Sequence, residues 1–245
     1  MSDVPPSQIH AWWADHHVAD ESWLRIVDSD EYERWEAYRR QIDRDRFIVG
    51  VTMARALFAR ALGVPPADVR LDRRCPRCGR PHGKVRLAGT AHIEISVSHS
   101  GTWVVLAACH TYPIGVDVEV INPSIDHLSI GGCVLSVREQ ARLAATPPAE
   151  RANTLARYWA RKEAVVKATG DGLGAGLANL EVSHAPDPAQ VLAWRTNPHL
   201  VDQLHLRDLS ADDQHCASVA IIGPRPLPVV THDASELLDL VSLQT

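Results

Sequence analysis

Nothing in this chain approaches the run of about 18 apolar residues that a helix needs to cross a bilayer, so no membrane span is expected. The first ten residues, Met1 to His10, are polar and include Pro5 and Pro6. They lack the basic and then apolar layout of a signal peptide. Cysteine is sparse, and its five copies cannot all pair; with no export signal, they read as reduced thiols in a cytoplasmic protein. Positive charge is also short, and a formal net charge of −5 argues against wholesale nucleic-acid binding. With 45% apolar and 22% charged residues, the composition is that of a soluble globular protein. Its 245 residues suffice for one large domain or two small ones with real cores.

The charge is unevenly spread. From Arg34 to Arg86 fourteen Lys and Arg face five Asp and Glu, which leaves that segment nine positive. Such a field suits a polyphosphate ligand or an acidic protein partner, and a solvated surface stretch reads the same way.

Periodicity organises the chain into two similar halves. Ile9 to Trp13 reads as a first strand, and Asp28 with Glu31 as a capping pattern that opens a helix. The spacing of Ile48, Met53, Ala54, Leu57, Phe58 and Ala61 predicts a second helix over Asp45 to Leu62, stopped by Gly63. Strands are expected at Ile93 to Ser98, Trp103 to Ala108 and Ile114 to Ile121. The pattern then restarts: Ser136 and Glu139 form a second capping box, and Thr146-Pro147-Pro148 opens a long helix ending at Gly170. Strands follow near Leu180 to Val182, Leu204 to Leu206 and Ser218 to Ile222. The expectation is an α+β fold of two lobes, 1–112 and 113–245.

Three local patterns carry chemistry. In Gly115-Val116-Asp117-Val118-Glu119 the two acids share one strand face. Paired carboxylates repel unless a cation or a proton compensates, and hard oxygens at this spacing suit magnesium; a solvated acidic face is the plain alternative. In Trp159-Ala160-Arg161-Lys162-Glu163-Ala164-Val165-Val166-Lys167, the residues Trp159, Glu163 and Lys167 form one helical stripe. That stripe presents an acid and a cation at one spot, or a simple surface ion pair. In Ser98-His99-Ser100-Gly101 a strand meets a turn, without the Gly-x-Ser-x-Gly elbow of a serine hydrolase. Hydrogen bonding to a bound phosphate fits it, as does a structural turn.

Together and in this order, these motifs resemble those of the surfactin-synthetase-activating type of 4'-phosphopantetheinyl transferase. Trp159-x-x-Lys162-Glu163-Ala164 is similar to the variant met in natural-product pathways. The resemblance runs from the Arg46 helix to the loop after Lys167. It implies a monomer of two lobes related by a pseudo-twofold, with coenzyme A in the cleft between them. By it, Asp117, Glu119 and Glu163 would hold Mg²⁺, and Lys167 would contact the coenzyme pyrophosphate. Ser98 and His99 match a Ser-His pair that meets the coenzyme's phosphates. Arg46 matches an arginine at the 3'-phosphoadenosine end. The stretch Gly79 to Lys84 matches a nucleotide-side loop that commonly reads Gly-Lys-Pro. Here it reads Gly83-Lys84-Val85, without the proline that presets the backbone.

The implied activity is that of a holo-[acyl-carrier-protein] synthase. A carrier serine attacks the β-phosphate of coenzyme A, 3',5'-adenosine bisphosphate leaves, and the serine proton goes to Glu163 directly or through a metal-bound water. The implied partners are acyl or peptidyl carrier domains of fatty acid, polyketide or nonribosomal peptide synthases. These are small acidic bundles that part of the basic stretch could dock. A carboxylate beside Mg²⁺ and Lys167 is expected to have a lowered pKa, which sits badly with a base.

Other readings weigh less. Cys75, Cys78 and His82 suggest zinc but supply three of the four ligands of a closed site. Gly170, Gly172, Gly174 and Gly176 mimic a dinucleotide loop but follow a helix rather than a strand. A metal-dependent phosphohydrolase would use the same acids without a carrier. A catalytically silent carrier-binding module would be expected to have lost an acid or the lysine.

Overall fold

The computed structural model describes residues 7–74, 79–80, 83–88, 93–110, 112–172 and 176–242. The chain divides into two compact units, Met1–Thr111 with Leu227–Thr245, and Tyr112–Pro226. Both mix helices and sheets, as the α+β reading expects. No helix among the described residues is long and apolar enough to cross a membrane.

The first unit holds β1 (Ile9–Asp15), α1 (Ser29–Ala37), α2 (Gln41–Leu62), β2 (Leu71–Asp72), β3 (Arg86–Leu87), β4 (Ile93–Ser100) and β5 (Trp103–His110). The second holds β6 (Ile114–Val120), α3 (His127–Val134), α4 (Val137–Ala145), α5 (Arg151–Thr169), β7 (Leu180–Val182), β8 (Val191–Trp194), β9 (Leu204–Leu209) and β10 (His215–Ile222). The chain then returns to the first unit with β11 (Val229–Asp233) and α6 (Ser235–Ser242).

The main sheets repeat one topology. In the first unit the order is β11-β1-β5-β4, and in the second β6-β10-β9. Each begins with a strand, crosses through a long helix, and comes back as a hairpin whose second strand pairs antiparallel with the first. The long helix covers the sheet in each: α2 lies on β4 and β5, and α5 on β6 and β10.

The expectation that 113–245 forms one lobe is corrected at its end. β11 pairs in parallel with β1, Ile9 opposite Val229. Behind it α6 buries Leu237, Leu238 and Val241 in the same core as Met53 and Phe58 of α2. The open edge of β1 and the apolar stripe of α6 both need cover, and the first unit supplies it.

Both capping boxes form with reciprocal bonds. α2 starts at Gln41 rather than Asp45, and α5 starts at Arg151, after a 3-10 turn over Pro148–Glu150. The first box also does a second job. Arg55 of α2, only 1% exposed, donates to Glu31 at 2.8 Å and Asp28 at 3.1 Å. Arg73 donates to Glu31 at 3.0 Å. Some of the basic stretch read from sequence as a ligand or partner surface is therefore spent inside the fold, matching buried acids.

Candidate active site

The second unit builds a compact acidic site from β6 and α5. Gly115, Asp117 and Glu119 alternate onto one face of β6. Gly115 lets the helix come close: a Cβ there would lie 2.0 Å from the Ala164 carbonyl oxygen and 2.4 Å from the Ala168 nitrogen. No side chain fits in that space, and the next residue on this face, Asp117, meets a side chain of α5 directly. Asp117, 2% exposed, accepts a 2.6 Å bond at Oδ1 from Lys167 Nζ. Glu119, further along the strand, is half-buried.

Glu163 stands one turn before Lys167 and is buried to 9% exposure. Burial first, then the charge of Asp117, push its carboxyl above the usual carboxylate range, and Lys167 offsets them only in part. Without a metal ion, two acids share one cation in a desolvated place, and that raises the carboxyl. Its Oε1 is buried and has no hydrogen-bond partner among the described residues. An orphaned anionic oxygen is costly unless something completes its shell.

The charged residues before Glu163 diverge. Arg161, 1% exposed, reaches Asp208 at 3.0 and 2.7 Å, together with the Ser183 and Asp187 carbonyls. Lys162, fully buried, pairs with Glu139 at 2.5 Å and donates to the carbonyls of Val134, Leu177 and Leu180. Of the run Arg161-Lys162-Glu163, only Glu163 turns toward Asp117. α5 ends at Thr169, where Gly170 takes the left-handed conformation, φ 78°, and its N–H bonds the Val166 carbonyl.

The remaining sequence-derived residues lie in the first unit. Ser98 and His99 close β4, Ser98 buried and His99 exposed, just before the turn at Gly101. Arg46 of α2 grips that turn, donating from Nε to the Gly101 carbonyl at 2.8 Å and also from Nη2, while Nη1 meets Asp43 at 3.3 Å. Arg46 and the Ser-His strand end are thus brought together. Gly83 donates to the Arg73 carbonyl at 2.6 Å. Lys84 is engaged by Glu94 at 2.7 Å and is only 9% exposed, so its ammonium faces a protein carboxylate. Cys75, Cys78 and His82 lie outside the described residues, as does Gly174.

Sequence reasoning passed over Gly115 and the Gly101 carbonyl. A glycine two residues before an acid on the same strand face was a usable signal, since the helix crossing there must come close. Helical spacing already turns Lys162 away from Glu163, but nothing local could have shown its partner, Glu139 of α4.

Residues 113–220 match the sequence pattern described as the 4'-phosphopantetheinyl transferase superfamily, and residues 11–111 match the pattern for the N-terminal part of 4'-phosphopantetheinyl transferase. A phosphopantetheinyl transferase of Thraustochytrium sp. is 32% identical over 235 residues, covering 89% of this chain and 80% of the relative. The 4'-phosphopantetheinyl transferase HetI of Nostoc sp. is 32% identical, covering 80% of this chain and 79% of the relative. A 4'-phosphopantetheinyl transferase of Bacillus subtilis is 24% identical, with 84% and 86% covered. With two relatives this similar over most of their length and patterns matched through both units, the chain belongs to the 4'-phosphopantetheinyl transferase family.

Proposed function

We infer that this chain moves the 4'-phosphopantetheine group from coenzyme A to a serine of an acyl or peptidyl carrier protein, turning apo carrier into holo carrier. The observation that carries the mechanism is the cluster of Asp117, Glu163 and Lys167, with one Glu163 oxygen buried and unmatched among the described residues. A hard divalent cation fits this donor set. Asp117, Glu119 and Glu163 offer carboxylate oxygens, and one lysine leaves their summed charge negative. We read that cation as Mg²⁺. When bound, it would offset charge on the diphosphate of coenzyme A.

The chain's own residues supply the rest. An ammonium has three donors, so the Lys167 bond to Asp117 is compatible with a second bond to a diphosphate oxygen. The carrier serine oxygen attacks the phosphorus that bears pantetheine. The bond from that phosphorus to the bridging oxygen breaks, and 3',5'-adenosine bisphosphate leaves with the electron pair. Glu163 takes the serine proton, a role worth roughly 10²–10⁴-fold. Arg46, Ser98 and His99 are read as contacts to the adenosine and phosphate end. Gly83 and Lys84 are read as nucleotide-side backbone, with Lys84 contributing only by leaving Glu94.

Within the family, Trp159-x-x-Lys162-Glu163-Ala164 favours the surfactin-synthetase-activating type, acting as a monomer in the cytoplasm on carriers of fatty acid, polyketide or nonribosomal peptide synthesis. Incubation with coenzyme A, Mg²⁺ and an apo carrier tests the reading by mass spectrometry. The expected result is a carrier heavier by one phosphopantetheine. Release of nucleotide from coenzyme A without any carrier, and without a mass gain when carrier is added, would favour a phosphohydrolase instead.

A further inference from the structure

β1 ends in Asp15-His16-His17, three consecutive residues whose side chains converge. One ligand atom from each lies within 4.8 Å of the others. Part of this has a plain explanation. Asp15 caps the 3-10 turn His16–Val18, accepting from His17 N at 2.8 Å and lying 2.6 Å from His17 Nδ1. Capping does not account for His16. Its side chain is only 8% exposed, yet its Nδ1 is buried with no hydrogen-bond partner among the described residues. The nearest carboxylate atom is Asp45 Oδ2 of α2 at 4.0 Å, too far for a hydrogen bond. The other oxygen of Asp45 is held by Gln41 at 2.8 Å.

We propose that Asp15, His16 and His17, with Asp45 as a fourth donor, form a site for one divalent transition cation such as Zn²⁺. Two imidazoles and two carboxylates are the donor types that zinc and its neighbours accept. Ligands each about 2.0–2.2 Å from one ion stand no more than about 4.4 Å apart. The buried His16 Nδ1 and Asp45 Oδ2 already meet that limit. His17, 75% exposed, is free to turn its ring inward and close the remainder. The two carboxylates offset the incoming charge. Arg46, the adjacent cation in α2, is already matched by Asp43 and the Gly101 carbonyl.

An ion here would brace three elements. His16 N donates to the Thr102 carbonyl at 3.0 Å, which ties the turn to the β4–β5 hairpin. Asp45 adds the start of α2, beside Arg46. The site differs in residues and chemistry from the acidic cluster of the second unit and does not depend on how that cluster is read.

Titration of the full chain with Co²⁺ in excess Mg²⁺ tests the proposal, because Mg²⁺ occupies hard oxygen sites and Co²⁺ reports its ligands by colour. The wild type is expected to bind one Co²⁺ with weak visible bands typical of nitrogen and oxygen ligands, and Zn²⁺ is expected to raise its melting temperature. His17→Ala, an exposed position that leaves the fold intact by circular dichroism, is expected to bind at least about tenfold more weakly and to lose the thermal shift. Even residues behind the ligands of a metal site cost 10–100-fold when removed. Asp45→Asn should weaken binding in the same sense. Wild-type affinity in both variants would overturn the site. So would a spectrum showing only intense thiolate charge transfer, which would place the ion on cysteines, or no Co²⁺ bound at millimolar concentration.

Discussion

Two lysines of α5, Lys162 and Lys167, both pair with a buried carboxylate, and the difference between them separates structure from chemistry. Lys162 is fully buried, with Glu139 and three carbonyls around it. Glu139 is equally enclosed, accepting also from the Ser136 and Val182 nitrogens at 2.7 and 2.8 Å. That network is closed. Lys167 remains 30% exposed, and beside its partner Asp117 stands Glu163 with an unmatched buried oxygen. A satisfied polar network fixes a fold, whereas an unsatisfied one keeps capacity for a ligand. The first unit has a closed network of its own, where Arg55 is sealed among acids and carbonyls.

The contrast is broken most severely at Lys162. Lys162→Met is expected to leave Glu139 buried without its cation, at a cost of about 3–5 kcal/mol. That is a large part of the stability of an ordinary domain, so the variant should unfold at much lower denaturant concentration. A midpoint close to wild type would show that the pair is not a structural latch. Gly115→Ala comes next, because its Cβ would sit inside van der Waals contact of the α5 backbone. It is expected both to destabilise the protein and to lower transfer, by pushing β6 and α5 apart at Asp117. Full activity in Gly115→Ala would mean that the close approach does not set the site.

Asp117→Ala should behave in the opposite way to Lys162→Met. Transfer should fall by roughly 10²-fold or more, with the circular dichroism spectrum retained, as expected for loss of electrostatic stabilisation at a reacting centre. Turnover within twofold of wild type would remove Asp117 from the mechanism. A milder effect is expected from Arg46→Ala, which frees the Gly101 turn. KM for coenzyme A should rise about tenfold with kcat little changed, the pattern for binding shared by ground and transition states. A fall in kcat at constant KM would place Arg46 nearer the reacting atoms.

Much of this was legible before the fold. The period-2 strands, both capping boxes and the glycine stop after α5 follow from local chemistry, and they appear within a few residues of where the spacing puts them. The stripe of Glu163 and Lys167 and the shared face of Asp117 and Glu119 were equally readable, since both follow from helix and strand periods. What was not legible depends on distant partners. β11 and α6 join the first unit because β1 has an edge to fill, and no local pattern reports that. Lys84 turns to Glu94, ten residues on, and Arg55 to Asp28 and Glu31; charge counts along the chain could not tell such sealed cations from available ones.

The finest test concerns the unmatched oxygen itself. A carboxyl whose pKa is raised by folding supports the native state while protonated, at pH below the ordinary glutamate value. That support is lost as pH rises through the raised native value, and at neutral pH the charged group opposes folding. Glu163 is such a group, through burial and Asp117. Glu163→Gln removes the charge at nearly constant shape, so the metal-free variant is expected to melt higher than wild type at pH 7, by about 2–4 °C for each kcal/mol relieved. The gap should shrink as the pH is lowered into the acid range, where the wild-type carboxyl is protonated too, while transfer by the variant stays lost at every pH. Lys162→Met gives the control, since its loss of stability comes from a broken pair and does not turn into a gain at neutral pH. If Glu163→Gln melts lower than wild type at pH 7 in the presence of a chelator, the oxygen is satisfied in solution, and the contrast between Lys162 and Lys167 fails.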